Sequence, residues 1–101
     1  MKKRNIKALV NKAIRGSGYA EKIEKASLFG SYVRGEETEK SDLDLLVKFD
    51  PKAHITLFDL VDIQEMLEKA LGIKVDILTP EALSPYIKDN ILNEAMLVYE
   101  R

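Results

Sequence analysis

Phe29-Gly30-Ser31-Tyr32-Val33-Arg34-Gly35, a short charged spacer, and then Ser41-Asp42-Leu43-Asp44-Leu45-Leu46-Val47-Lys48-Phe49 form the stretch that decides the fold. From Asp42 onward the residues alternate. Leu43, Leu45, Val47 and Phe49 point one way; Asp42, Asp44, Leu46 and Lys48 point the other. Period two marks a β-strand with one apolar face. Asp50-Pro51 breaks it. Upstream, Lys25–Phe29 reads as a shorter strand that ends in the Gly30-Ser31 turn.

Helices flank these strands. Over residues 3–15, Ile6, Leu9, Val10, Ala13 and Ile14 make one apolar stripe, and Gly16-Ser17-Gly18 ends it. A longer helix is predicted from about Thr56 to Leu71. Thr56 and Asp59 form a variant capping box, and Gly72 supplies the stop. Its expected buried stripe is Leu60, Ile63, Leu67, Ala70 and Leu71. Ile73, Val75 and Ile77 line a third strand, with Asp76 on the opposite face. Thr79-Pro80 and Ser84-Pro85 are two helix starts, each a capping residue before proline. The second should carry Tyr86, Ile87, Ile91 and Leu92 inward. Ala95–Tyr99 fits a last strand or the helix end equally well. The order helix, strand, strand, helix, strand, helix predicts an α/β (α+β) fold with helices on a small mixed sheet.

The 101 residues are expected to form one domain over residues 1–101. With 46% apolar and 33% charged residues the chain is globular rather than disordered. No cysteine is present, which excludes disulfides, thiolate zinc sites and thiol nucleophiles. Sixteen basic against seventeen acidic residues argue against direct DNA binding. Lysines interrupt the segment after the basic start, so no secretory leader is expected there. No apolar run approaches the ~20 residues that span a bilayer. A soluble, cytoplasmic protein is the expectation.

The chemistry sits at the aspartates. Asp42 and Asp44, two apart on a strand, leave one face with Cβ atoms ~6.5–7 Å apart. Carboxylates so placed repel unless a cation lies between them, and oxygen-only ligands suit Mg²⁺ or Mn²⁺, not zinc. Asp76 joins them if the two strands are neighbours in register. Three converging carboxylates can hold two divalent ions ~3.5–4 Å apart, as in phosphoryl transfer. At Gly30-Ser31 the backbone can approach a phosphate, the Ser31 hydroxyl can donate, and Arg34 lies one turn further on. Taken singly, each feature is commonplace: a Gly-Ser pair is usually a turn, and an isolated Asp-x-Asp is usually a solvated strand face. Two other motifs are excluded. Glu36-Glu37 stands where a Walker A loop needs Lys-Ser/Thr, and Leu46-Val47 where a calcium loop needs a ligand and glycine.

The joint pattern is more specific than its parts. Gly30-Ser31, ten intervening residues, and Asp42-Leu43-Asp44 opening an apolar strand resemble the DNA polymerase beta-like nucleotidyltransferase superfamily. Within it, the chain is similar over nearly its whole length to the minimal nucleotidyltransferase (MNT) group of MntA-type antitoxins. Val33 stands where alanine is common in that group.

The resemblance implies a polymerase beta-like fold. Asp42, Asp44 and Asp76 would be catalytic metal ligands for two Mg²⁺ ions, and Gly30, Ser31 and Arg34 the ATP-binding residues. It also implies AMP transfer to a hydroxyl, with tyrosine expected, on a separate HEPN-domain toxin. The HEPN signature Arg-x4-His is not in this chain, since Phe49 stands five residues before His54. His54 is expected to be exposed. Larger relatives add a helical acceptor domain, so a partner surface or self-association should complete the acceptor site here. Tyr86, Ile87 and Tyr99 are candidates for it, although Ile87 is better suited to the core. The alternative is a non-catalytic module that masks a partner sterically. Transfer to a small molecule, such as an aminoglycoside, is disfavoured by the missing acceptor domain.

Overall fold

The computed structural model describes residues 5–36, 38 and 41–101, apart from the side chains of Ser31 and Arg34. The expected first turn at Lys3-Arg4 lies outside the described residues. Helix α1 runs Ile6–Arg15. Asn5 caps it, its Oδ1 accepting from the Ala8 N–H at 3.1 Å. The apolar stripe faces inward as expected: Val10 and Ile14 are buried, while Ile6, Leu9 and Ala13 pack against the core's edge. Lys12 and Arg15 in the last turn suit the negative end of the helix dipole.

Strand β1 covers Ile23–Phe29, two residues more than local spacing marks. The extension comes from pairing: Ile23 opposes Phe49 of β2 (Leu43–Phe49) across a bulge. Between them, α2 is a single turn at Ser31–Arg34. Helix α3, Leu57–Leu71, starts in a complete capping box. Asp59 N–H donates to Thr56 Oγ1 at 3.3 Å, and Thr56 N–H to Asp59 Oδ2 at 2.8 Å. It stops at Gly72, whose φ of 73° is left-handed and whose N–H reaches the Glu68 carbonyl at 2.8 Å. Ile63, Leu67 and Leu71 are the buried row. Leu60 is half-buried, and Ala70 is exposed because it lines an open groove between α3 and α1.

Strand β3 is Val75–Leu78, a 3-10 turn covers Pro80–Ala82, α4 spans Pro85–Glu94, and β4 is Met96–Glu100. Both proline-marked starts exist, and Ser84 caps α4 through the Tyr86 N–H. The ambiguous tail is a strand. The sheet order is β3-β2-β1-β4: β1 is antiparallel to β2 and β4, and β2 is parallel to β3. The mixed sheet is therefore as expected, with α3 as the crossover a parallel pair needs.

One face of the sheet holds the main core. Ala26, Leu28, Leu43, Leu45, Val47 and Val75 pack with the buried rows of α1 and α3. The other face carries a smaller cluster of Phe29, Leu46 and Leu83, against which Leu78, Ile91 and Ala95 lie. That cover explains why Leu46, on the nominally polar side of β2, is buried.

The expected inward face of α4 is largely wrong. Of the four residues, Ile91 alone packs on this cluster; Tyr86 is 92% exposed, and Ile87 and Leu92 are about half exposed. From α4, Ile91 packs on this face, and Ala95 just past the helix joins it. Ile87 is thus not a core residue. Tyr99 is buried: its hydroxyl donates to the Ala20 carbonyl at 2.7 Å, and the Arg15 guanidinium lies 5.0 Å from its ring. It cannot belong to a partner surface. Among the described residues no helix is long and apolar enough to cross a membrane.

Candidate active site

The site is built by strand register. Phe29 opposes Asp44 across β1 and β2, and Asp44 opposes Asp76 across β2 and β3. The Leu43 N–H, donating to the Lys74 carbonyl at 2.8 Å, sets the parallel register. Leu43, Leu45 and Val75 face the main core, so alternation puts Asp44 and Asp76 on the opposite face. The neighbour relation that the sequence left conditional is therefore met for this pair.

Asp42 differs. The strand begins at Leu43, one residue later than the alternation predicts, so Asp42 sits at its entrance, exposed. Asp44 is half-buried and Asp76 exposed. Among the described residues no group of three acidic or histidine side chains is gathered closely enough to hold a metal ion. The expected three-way convergence is thus a register pair plus a carboxylate at the strand entrance. The donor set itself is hard oxygen throughout and fits Mg²⁺ or Mn²⁺.

Gly30 closes β1 with φ of 80°, a conformation that other residues rarely adopt. A Cβ placed on it would stand 2.4 Å from Asp44 Oδ2, so the glycine backbone lies directly against that carboxylate. The chain then turns into α2, with the Val33 N–H donating to the Gly30 carbonyl at 3.1 Å. The side chains of Ser31 and Arg34 lie outside the described ones, so their expected donor roles are not placed.

Some supporting residues escaped sequence reasoning. Tyr32 and Val33 pack against the main core and tether α2, which holds the Gly30 turn in place. Glu68 of α3 accepts the Val75 N–H at 3.0 Å and so fixes the start of β3 beside Asp76. Nothing in the spacing of Glu68 marks it for this. Tyr32 and Val33 did carry a signal, as two apolar residues directly after Gly-Ser.

The groups with shifted acidity lie at the other end of the sheet. Asp50, just past β2, is held below its ordinary 3.8 by the Lys52 N–H and then by Arg101. Arg101 also donates to the Glu21 carbonyl at 2.7 Å. Asp59 is lowered chiefly by the Thr56 N–H. Tyr19 is raised by partial burial and then by Asp62 and Asp59. These contacts clasp loops and chain end together. They belong to the scaffold, not to the aspartate site. His54 is exposed, as expected.

The sequence profile of the nucleotidyltransferase domain matches residues 11–98. The chain is 43% identical over 79 residues to a provisionally named protein adenylyltransferase of Methanocaldococcus jannaschii, covering 77% of each. It is 37% identical over 76 residues to the protein adenylyltransferase MntA of Thermococcus cleftensis, covering 75% of each. A solved structure of a provisionally named minimal nucleotidyltransferase superposes with TM-score 0.70 at 36% identity, covering 84% of this chain and 85% of that one. The fold alone is shared with a complex of a tri-AMPylated Shewanella oneidensis HEPN toxin with its MNT antitoxin, at TM-score 0.66 and 18% identity, over 95% of this chain and 73% of that one.

Proposed function

This chain belongs to the nucleotidyltransferase domain family, and within that family we propose that it transfers AMP from ATP to a hydroxyl, tyrosine expected, of a partner protein. The observation that carries the reading is the Asp44–Asp76 register pair, with Asp44 lying against the Gly30 turn. Relatives named as protein adenylyltransferases support the choice of a protein acceptor.

The proposed roles follow from position. Gly30, Ser31 and Arg34 hold the phosphates of ATP. The acceptor hydroxyl oxygen bonds to the α-phosphorus, the bond from that phosphorus to the α,β-bridging oxygen breaks, and pyrophosphate leaves. Asp76, exposed beside Asp44, takes the hydroxyl proton or passes it to water. Asp42 and Asp44, with Asp76, would hold Mg²⁺ ions, which neutralise phosphate charge when bound. The protein's own contribution is then positioning and fixed electrostatics.

The proposed partner is a HEPN-domain toxin on a separate chain, silenced by the modification. The complex of a HEPN toxin with its MNT antitoxin, on the same fold, supports that choice. Exposed apolar side chains, Leu57 at 79% and Phe58 at 83% besides Tyr86, leave ample surface for a protein partner.

ATP labelled in either the α- or the γ-phosphate tests the reaction. Label from the α-phosphate should stay on the acceptor while label from the γ-phosphate leaves as pyrophosphate. Retention of the γ-label would mean phosphoryl transfer and would overturn the reading. Asp42→Asn and Asp44→Asn that still neutralise the toxin would instead favour steric masking.

A further inference from the structure

We infer that Gly30 is a positioning residue for the Asp44 carboxylate, acting through the volume its missing side chain leaves open. Glycine in a turn beside a phosphate site is ordinarily explained by backbone approach to the phosphate. The geometry here adds a different demand. An ideal Cβ on Gly30 would lie 2.4 Å from Asp44 Oδ2, 3.3 Å from its Cγ and 3.5 Å from its Cβ. The carboxylate oxygen therefore occupies the place where a methyl group would go, with Cγ close behind it and Cβ at ordinary contact distance.

The crowding follows from the register. Phe29 opposes Asp44, and the chain turns at once to φ of 80°. The turn swings the Gly30 α-carbon over the carboxylate instead of continuing along the ladder. Asp44 is half-buried here. A methyl group on Gly30 would turn the carboxylate end out of its place at the position opposite Asp76. Displacement of a reacting group by ~1 Å costs on the order of 100-fold in rate. The left-handed backbone is a second, separate cost of any substitution, independent of what residue 44 is.

The two costs separate in a double-mutant cycle on the full chain. The inference rests on the reading of Asp44 as a functional carboxylate only for its catalytic half. The contact itself is tested by melting, without any reaction. Gly30→Ala should lower the melting temperature of the wild type measurably more than it lowers that of Asp44→Ala, because the second background lacks the crowded carboxylate and keeps only the backbone cost; the excess should be small, since the carboxylate end can turn aside. If Gly30→Ala alone does not fold, cooperative melting regained in the double variant is the same result. Equal losses in both backgrounds, or a double variant as unfolded as the single, would overturn the inference.

In the transfer assay Gly30→Ala should lower kcat about 100-fold, a larger factor than the rise in KM for ATP that its place beside the phosphates brings. A loss carried by KM with kcat unchanged would leave the glycine to the phosphates alone and overturn its role toward Asp44. A strong melting cycle with no detectable transfer by the wild type would leave the contact standing and sink the proposed reaction instead.

Discussion

Asparagine at position 76 removes one charge from a pair that the sheet sets side by side. Opposed residues on neighbouring strands lie about 4.8 Å apart. Two unit charges as close as the strands themselves would repel by about 1 kcal/mol in water and about 3.5 kcal/mol at an effective dielectric of 20, an upper bound for side chains free to turn apart. Asp76 is exposed and Asp44 half-buried, so the lower value applies, and physiological salt reduces it further. In chelator at low ionic strength, Asp76→Asn should therefore be the more stable protein, by at most about 1 kcal/mol, the ceiling corresponding to about 4–8 °C in melting temperature for a domain of this size. Mg²⁺ should raise the wild-type melting temperature by mass action and raise that of the variant less. Nucleotidyl transfer should be lost in the variant. The assay is a melting series over salt and Mg²⁺ beside a transfer time course. A variant that melts at or below the wild type in chelator at low salt would refute the repulsive pair. One that is stabilised yet fully active would refute the catalytic role of Asp76.

Other consequences concern the scaffold. Thr56→Ala breaks the capping box of α3 and should cost about 1 kcal/mol by denaturant titration, with transfer unchanged once folded. Tyr99→Phe strips the hydroxyl from the Ala20 carbonyl and should cost a similar ~1 kcal/mol. Asp50 is held below its ordinary 3.8, so its contribution to stability is complete above that pH and fades as the pH falls through the lower folded value. Asp50→Asn should therefore melt below the wild type at neutral pH, and the gap should close under acid conditions. A gap that persists in acid would show that the carboxylate charge is not what clasps Arg101.

Which features were readable from sequence follows from their range. The cap at Thr56, the stop at Gly72 and the alternation of β2 depend on residues a few positions apart; the cap and the stop appear as read, and β2 alternates from Leu43 with Leu46 covered on its second face. The extension of β1 to Ile23 and the choice of strand for Met96–Glu100 depend on pairing with distant segments. Local period cannot decide either. For α4, the apolar pattern shows which side chains prefer burial, not whether the sheet has room for them. With Asp44 and Asp76 holding part of that face, Tyr86, Ile87 and Leu92 stay largely outside. The aspartates themselves stand out as candidates by type and spacing. Their pairing depended on a register set by the Leu43–Lys74 hydrogen bond, and the proximity of Gly30 to Asp44 on the turn after Phe29. Glu68, fixing β3 from a helix, has no local mark at all.

The most direct measurement is the intact mass of a HEPN-domain partner after incubation with the full chain, ATP and Mg²⁺, compared with Asp44→Asn under the same conditions. The wild type should add whole AMP units to the partner and release one pyrophosphate for each. The folded variant should add none. An unmodified partner with well-folded wild type, or equal modification by the variant, would contradict catalysis at Asp42, Asp44 and Asp76.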